Sequence, residues 1–351
     1  MKHKPIECTL LLIAMFATTA RSKEEYPIYV YPSPRAATPP KLDGVLDDAC
    51  WKDAPVVGRF TYHNRTDLAD AQTSFRVAYD DTCLYLGIVC DEPHMSKVAI
   101  SIGARDSGVF SQESVEIFIE PNHDHGRYFQ LGGNVGGALY DAEAFNTSFD
   151  CAAKFAVHVD KESWTTEWAI PLADLGIKSV RSGQVMGFNI CRDRYVGGRT
   201  EWTNWSQTQG GFHTPVYFAH LVLSPTAEQL GELGEEFREG DREGPIQIFS
   251  AGGFSQTAYI TLAKKQLATL QGLLKDLEET AKQESGKARG ELQKRVDDSR
   301  REMQPYEEHL SSSQSLDAAA WGKMELRFHQ IQISLGTVLW DARLAALLAE
   351  L

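Results

Sequence analysis

The sequence has little cysteine, and none of it has the spacing of a metal ribbon or a redox site. Six cysteines occur in 351 residues, and no two of them form a CxxC pair, which argues against a zinc ribbon or a thioredoxin-type centre. Cys83 and Cys90 lie an odd number of residues apart on one predicted strand, so they point to opposite faces and cannot form a disulfide. We expect buried free thiols, with one disulfide left open if the chain is exported.

The chain also lacks an excess of positive charge and a long apolar run. Its formal net charge is −13 at pH 7, so no electrostatic footprint for nucleic acid or an anionic membrane is evident. The apolar run Cys8–Ala20 follows Lys2 and Lys4 and is too short to span a bilayer. It predicts a cleaved signal peptide over residues 1–22, and therefore a secreted or periplasmic protein with no membrane span.

Motifs of catalysis are missing as well. The sequence contains no Ser/His/Asp order of a hydrolase and no nucleotide-phosphate loop. A glycosidase needs two carboxyl groups roughly 5–9.5 Å apart, but Glu116 and Glu120 share one predicted strand face, where four residues separate them by about 13 Å. We therefore expect a non-catalytic protein, although the alternative stays open that a loop carboxylate from Glu113 or Asp106 approaches Glu116.

Short segments with strand periodicity make up most of residues 26–224. In Ser114–Glu120, three aliphatic residues share one face, while Glu116, Phe118 and Glu120 share the other. Many such strands joined by turns predict a mainly β chain with an antiparallel, jelly-roll-like β-sandwich, and the absence of βαβ alternation argues against a parallel sheet. A face that combines carboxylates with an aromatic ring suits a sugar, whose hydroxyls need acceptors and whose C–H faces stack on rings.

The character of the chain changes after the predicted sandwich. Glu and Asp crowd the segment 226–254, which predicts an acidic linker. Leucines three and four residues apart from Leu267 to Leu277 predict a long amphipathic helix, which Pro305 should end or kink. A serine-rich turn and a second apolar helix follow, so residues 255–351 predict an α-helical hairpin that packs on itself or pairs with another chain as a coiled coil. The predicted organisation is a signal peptide (1–22), a sandwich (23–225), the linker (226–254) and the hairpin (255–351).

Seven blocks of sequence, in order, resemble a family 9 carbohydrate-binding module. They are LDGVLDDACW (42–51), YDDTCLYLGIVCDE (79–92), ESVEIFIEP (113–121), NVGGALYD (134–141), WTTEWAIPLADLG (164–176), GFNICRDR (187–194) and NWS…HTPVYFAHLVL (204–223). The resemblance covers residues 40–224 and implies a β-sandwich that binds a mono- or polysaccharide, often in company with secreted glycan-degrading enzymes. It does not extend to the helical region.

The resemblance implies that two aromatic rings sandwich a terminal sugar. One ring lies six residues before the glutamate of the VEIF block and is Phe110 here. The other lies six residues before Phe218 and is Phe212. Both are phenylalanine where the family has tryptophan, so we expect stacking that persists with a smaller, less electron-rich ring.

The resemblance also implies polar partners for the hydroxyl groups of the sugar: Glu116, Asp106, Asn134 and Arg199. Two positions depart from the family pattern, because Gly132 stands where the family has an arginine and Cys191 where it has a glutamine. The identity of the sugar is therefore left open.

No cofactor is required by this interpretation, although family members can hold structural calcium. The sequence offers three oxygen donors for such an ion, without the spacing of a calcium loop: Asp43, Asp47 and Asp141. His123 and His125 flank Asp124 in a predicted turn, but adjacent residues in a turn rarely converge on one ion. We therefore predict no metal site at the two histidines.

Two other functions remain open. The sandwich could lack a ligand and act as a structural module that self-associates, or binds a protein partner, through residues 255–351. A related sandwich superfamily includes haem-binding domains with Met and His ligands, but His94 and Met95 are neighbours and no CxxCH occurs. Trp164 and Trp168 share a strand face and are expected in the core, whereas Trp202 is assigned to neither core nor site.

Overall fold

Strands form the first part of the molecule and helices the last. The computed structural model describes residues 26–234, 237, 242 and 244–349, so the predicted signal peptide and Cys8 lie outside the described residues. The strands that precede the helical region are β1 (Ile28–Ser33), β2 (Thr61–Tyr62), β3 (Thr73–Tyr79), β4 (Cys83–Asp91), β5 (Ser114–Glu120), β6 (Phe129–Asn134), β7 (Leu139–Glu143), β8 (Lys154–Val159), β9 (Ser163–Pro171), β10 (Val185–Val196), β11 (Arg199–Asn204) and β12 (Ala219–Leu223). The elements that follow are α1 (Ala227–Glu232), β13 (Ile246–Ser250), β14 (Gly253–Phe254), β15 (Thr257–Ala258), α2 (Tyr259–Gln283), α3 (Gly286–Ser312) and α4 (Ala318–Ala349).

The strands form two sheets that pack on each other. The larger has the order β15-β14-β13-β1-β12-β10-β5-β6-β7, with β11 pairing with both β10 and β2, and the smaller has the order β3-β4-β9-β8. The β-rich fold with helices at the C-terminal end is thus confirmed, while the jelly-roll description stays a prediction. The argument against parallel strands was wrong at β1, which pairs in parallel with β12 and β13. These partners lie far along the chain and leave no local βαβ signal.

The aliphatic face of β5 lies between the two sheets, as its period of two predicts. Val115 and Ile117 are fully buried, and so are Trp164 and Trp168 on β9. Gly133 on β6 allows this packing, because a Cβ there would be only 2.5 Å from the indole of Trp168. Each buried large apolar side chain contributes about 1.5–3 kcal/mol, so this layer stabilises the sheet on which the polar face of β5 is built.

Two arginines of β10 also point between the sheets and are paired there. Arg192 is fully buried, and its Nε donates to Glu113 Oε1 at 2.9 Å. The Nε of Arg194 donates to Glu92 at 2.6 Å, and its Nη1 donates to Glu201 at 2.8 Å. Removing one partner from such a network would leave a buried charge unpaired, which costs stability.

The segment 226–254, predicted to be a linker, contains regular structure. Thr226 begins α1 with a capping box to Gln229, and β13 extends the large sheet by pairing with β1. The boundaries between the predicted domains stay a prediction.

The helical region has three long helices where the sequence predicted two. The chain leaves the first helix at Glu284 and Ser285, whose backbones are extended, and Gly286 has a φ of +57°. Pro305 lies inside α3, which continues to Ser312, so of the two predicted outcomes, an end or a kink, the proline does not end the helix. The predicted leucine stripe is buried: Leu267, Leu270, Leu274 and Leu277.

Aromatic side chains connect the large sheet to the helices. Tyr29 stacks on Trp205 with ring centroids 5.2 Å apart, and Tyr259 of α2 stacks on Trp321 of α4 at 6.1 Å. Three further ring contacts join these two pairs. The centroid distances are 5.9 Å for Trp205–Phe249, 5.7 Å for Phe249–Phe254 and 6.2 Å for Phe254–Tyr259. We call these six residues the aromatic chain.

The last helix bears on the prediction that the chain has no membrane-spanning segment. Among the described residues, α4 is the one helix with the length and composition to cross a membrane, over Ala318–Leu348. Length and composition do not separate such a helix from one in a helical bundle, and one face of α4 packs into the core through Phe328, Ile331 and Leu335.

Candidate functional site

The face of the large sheet that turns away from the core carries a row of polar positions. Glu116 on β5 lies opposite Gly132 on β6 and Cys191 on β10. Two residues earlier, Ser114 lies opposite Asn134 and Asp193. Because side chains alternate along a strand, these positions share one face, which we call the outer face. The structure therefore brings Glu116 and Asn134 together, as predicted.

Two carboxyl groups of the outer face are buried together. Glu116 is 5 % exposed and Asp193 is 3 % exposed, and the two side chains interact across the β5–β10 pairing. Burial raises the pKa of Glu116 well above its usual range, and the charge of Asp193 raises it further. Burial also raises the pKa of Asp193, to about 6. Glu116 therefore holds its proton more strongly than an exposed glutamate does.

Neutral polar groups support this carboxyl pair. Gln130 Nε2 donates to Glu116 Oε2, and Ser114 Oγ donates to Asp193 at 3.1 Å. Asn134 Oδ1 accepts from the backbone of Gly136 at 3.1 Å and of Ala138 at 2.9 Å, which fixes the turn after β6. Its Nδ2 is buried and has no hydrogen-bond acceptor in the structure, an arrangement that costs about 1–3 kcal/mol unless a ligand or water supplies one.

Phe110 lies above the β6 side of the outer face. Its ring contacts Tyr140 of β7 edge-on, with centroids 4.7 Å apart. A Cβ at Gly132 would lie 2.6 Å from the Phe110 ring, so glycine is required beneath it. The ring thus takes the space next to the position where the family pattern has an arginine side chain.

Phe212 lies on the other side of β5. Its ring contacts His63 edge-on at 4.7 Å, and the backbone N–H of His63 donates to the carbonyl of Trp202 on β11. Phe212 also packs against a cluster that contains Phe118 and Cys191. Both predicted rings are half-buried on the face that carries Glu116.

Arg199 is not brought to this face. It lies opposite Val196 at the end of the β10–β11 hairpin, and alternation from Asn204 places it on the inner face of β11. There it borders a depression that is also lined by Arg194, Glu201 and Lys97. The role implied for Arg199 in binding the same ligand as Glu116 therefore has no geometric support.

Asp106 lies at the edge of the sheet beside β7. Its backbone N–H donates to Leu139 at 2.8 Å, and Oδ1 accepts from the backbone of Asp141 at 3.4 Å. Carboxylate oxygens of Asp106, Asp141 and Asp150 lie within 4.8 Å of one another. Arg105 already pairs with this group, at 2.6 Å from Asp141 and 3.3 Å from Asp150.

The calcium donors suggested by the sequence do not form one group. Asp43 lies next to the small sheet, where its backbone N–H donates to Glu167 at 3.0 Å, and Asp47 belongs to the same loop, whereas Asp141 is on β7. At Asp141 the Arg105 guanidinium supplies the positive charge that a calcium ion would bring. Asp43, Asp47 and Asp141 as arranged therefore do not fit one calcium ion.

Sequence reasoning missed two members of the outer face. Asp193 lies two residues after Cys191, and Trp202 lies directly opposite Asp193. The Trp202 side chain is 50 % exposed. Counting in steps of two from Cys191 and from Asn204 would have placed both on the outer face.

The remaining candidates lie elsewhere. Met95 is buried in the core, whereas His94 is exposed, so these neighbours do not form a pair of haem ligands. The five described cysteines are all free: Cys50, Cys83, Cys90, Cys151 and Cys191.

The chain is similar to several known proteins. Exoglucanase XynX of Acetivibrio thermocellus is 24% identical over 190 residues, which cover 53% of this chain and 16% of that protein. The chain thus spans less than a fifth of the length of this relative. Two structures of a family 9 carbohydrate-binding module from Caldicellulosiruptor kristjanssonii are also similar. The complex with cellotriose has 17% identity, a TM-score of 0.44 and coverage of 57% of this chain and 95% of that one. The complex with glucose has 18% identity, a TM-score of 0.42 and coverage of 57% and 97%.

The family model described as carbohydrate family 9 binding domain-like matches residues 42–226, which is more than half of the chain. The chain belongs to this family.

Proposed function

We propose that the protein binds a carbohydrate on the outer face, between Phe110 and Phe212. The observation that carries the proposal is the buried polar set between the two rings, in which Glu116 and Asp193 are buried on one face and Asn134 Nδ2 lacks an acceptor. Membership of the family supports it, and so do the cellotriose and glucose named for similar modules.

The polar groups suit the hydroxyls of a sugar. The carboxyl oxygens of Asp193 and Glu116 accept hydrogen bonds from hydroxyls, and Asn134 Nδ2 donates to a hydroxyl oxygen. A hydrogen bond to a charged group contributes about 1.5–3 kcal/mol, and a neutral one about 0.5–1.5 kcal/mol. We propose Asp106 as an edge contact next to Tyr140, and we leave Arg199 out of the site.

The aromatic groups supply the stacking surfaces. Phe110 and Phe212 present smaller rings than tryptophan, so each stack is weaker than a tryptophan stack would be. Trp202, exposed beside Asp193, adds a larger ring on the same face. We propose that it contacts a second sugar unit of an oligosaccharide.

Calorimetric titration of the full mature chain with glucose, xylose and their oligomers tests this function. We expect heat with at least one sugar, a tenfold or larger loss of affinity in Phe110→Ala and Glu116→Gln, and no change in Arg199→Ala, the control on the inner face. Absence of heat with every sugar, with calcium both present and absent, would instead favour the ligand-free structural module.

We further propose that the protein is secreted or periplasmic and non-catalytic, and that it acts in glycan capture or degradation. The support is the N-terminal sequence pattern and a family of binding modules. N-terminal sequencing of the exported protein should show cleavage near residue 22. Release of chromophore from aryl glycosides by the purified chain would contradict the non-catalytic role.

A second role is favoured by an apolar stripe on α4. Large side chains there are solvent-exposed at heptad-like spacing: Ile333, Trp340, Leu344, Leu347 and Leu348. Side chains at this spacing on two copies of α4 can pack against each other, which supports association of two copies of the chain. Light scattering should show a concentration-dependent dimer that is lost in the double variant Trp340→Glu/Leu347→Glu and kept in Arg289→Glu. A monomer at all concentrations that floats with liposomes would contradict self-association.

A further inference from the structure

A cavity of about 270 Å³ lies where the sandwich meets the helices. Its walls come from both parts of the chain, with Tyr29 of β1, Thr61 of β2 and Leu68 on one side and Gln266 of α2 and His329 of α4 on the other. Small-molecule sites usually measure about 300–1,000 Å³, so a ligand here would be about as large as one monosaccharide. The described residues that line the cavity include none of those proposed to bind a sugar on the outer face.

Four buried polar atoms on the lining residues have no hydrogen-bond partner among the described residues. Trp205 Nε1 and Arg59 Nε are donors, Gln266 Oε1 is an acceptor, and His329 Nε2 takes either role according to its tautomer. Trp205 is only 1 % exposed, so bulk solvent does not reach its indole N–H. Because a buried polar atom without a partner costs stability, this group calls for a molecule that both donates and accepts hydrogen bonds.

The charged groups of the cavity neutralise each other. Arg59 forms an ion pair with Glu325 of α4, which is buried. An anion attracted by the guanidinium would also meet the carboxylate, and a cation would meet the same conflict in reverse. The other described lining residues carry no fixed charge. The cavity therefore favours a neutral ligand, and hydroxyl groups suit it because each one donates and accepts.

We propose that this cavity binds one small neutral polyhydroxy compound, a monosaccharide or a polyol. Its hydroxyl groups accept from Trp205 Nε1 and Arg59 Nε and donate to Gln266 Oε1, and its C–H groups contact Tyr29 and Leu68. Because the walls belong to the sheet and to the helices, the bound compound holds the two parts of the chain together. The site does not depend on the sugar binding proposed for the outer face.

Nuclear magnetic resonance of the full mature chain, labelled with nitrogen-15 at its seven tryptophans, tests the proposal. Trp205→Phe assigns the indole signal of the cavity, and Trp202→Phe assigns that of the outer face. The compounds added are glucose, xylose, myo-inositol and glucuronate, which has the ring of glucose with a negative charge. We expect at least one neutral compound to shift the Trp205 signal with a dissociation constant in the millimolar range or below, and glucuronate to leave that signal unchanged.

Variants of α2 test the contact with the helices. Gln266→Leu removes the acceptor and should weaken binding at the cavity at least tenfold. Gln271→Leu makes the same change at an exposed position of the same helix and is the matched control, which should bind as the wild type does. If Gln266→Leu fails to fold, as judged by circular dichroism, His329→Leu takes its place with the same expected loss.

Three results would overturn the assignment. They are a Trp205 signal that no neutral compound shifts, equal binding by the wild type and the cavity variant, and glucuronate that binds as tightly as glucose. The two indole signals also separate this site from the outer face. A shift of the Trp202 signal alone would refute the cavity site and leave the outer-face proposal standing, whereas a shift of the Trp205 signal alone would support the cavity site without the outer face.

Discussion

Glu116 and Asp193 lie on neighbouring strands of the large sheet as two buried carboxyl groups, and burial raises the pKa of both. Burying two carboxyl groups costs solvation free energy, a cost that an ordinary solvent-exposed surface does not carry. Their placement beneath two half-buried rings is the feature from which the proposed sugar site follows, and it makes the pair testable by titration.

The first prediction concerns the pH dependence of stability. The pKa of Asp193 rises from 3.8 to about 6 on folding because the carboxyl is buried. The folded state therefore binds this proton more tightly than the unfolded state, and stability falls as pH rises from about 4 to about 6. The difference corresponds to about 3 kcal/mol. Urea denaturation at pH 4 and pH 7 should show a smaller loss in Asp193→Asn than in the wild type, whereas the exposed control Asp160→Asn should behave as the wild type.

The second prediction concerns the space under Phe110. Gly132→Ala should lower the free energy of unfolding by about 1–3 kcal/mol, because its Cβ overlaps the ring. Adding Phe110→Ala should relieve this overlap, so the double variant should be more stable than the sum of the two single changes predicts. Gly211→Ala, where no atom lies within 4 Å of the added Cβ, is the control. Purely additive free energies would show that the ring does not lie on Gly132.

The third prediction concerns the buried ion pair of β10. Glu113→Gln removes the nearer carboxylate partner of Arg192, which is fully buried, and should cost about 3–5 kcal/mol because only Glu92, at 3.4 Å, is left to balance the buried charge. Asp81→Asn breaks the exposed pair with Arg35 and should cost far less, because solvent screens an exposed ion pair. Chemical denaturation of both variants checks the contrast. Equal effects would mean that the Arg192 network is hydrated.

The fourth prediction restores a larger ring. Phe212→Trp should raise the affinity for the bound sugar about threefold, since a larger and more electron-rich ring stacks more strongly. Calorimetry against the best sugar ligand measures the change, with Phe145→Trp, at an exposed ring contacting His213, as a control that should leave affinity unchanged. A weaker or unchanged affinity would place Phe212 outside the stacking surface.

Periodicity within one strand or helix was sufficient to predict which side chains are buried, because that pattern is local to the element. The alternation of Ser114–Glu120 predicted which side chains enter the core and which stay on the outer face, and the leucine stripe of α2 predicted its buried side. The helix break at Glu284 and Ser285 had only Gly286 as a local signal, because Glu and Ser occur freely on exposed helix surfaces.

Pairing between distant segments could not be predicted from such patterns. His123 and His220 meet because β5, β10 and β12 are neighbours, a fact that neither local sequence contains. Arg199 shows a different error. The resemblance matched its position by order along the chain, whereas an odd number of steps from Asn204 places it on the opposite side of β11.

The aromatic chain from Tyr29 to Trp321 has a consequence for how the molecule melts. Its rings belong in turn to the sheet, to the short strands after it and to two of the helices. If heating unfolded the C-terminal helices alone, the rings of Trp205 and Phe249 would become exposed to solvent. Calorimetry should therefore record a single cooperative transition, and a chain truncated after residue 254 should be prone to aggregate through the rings it leaves bare.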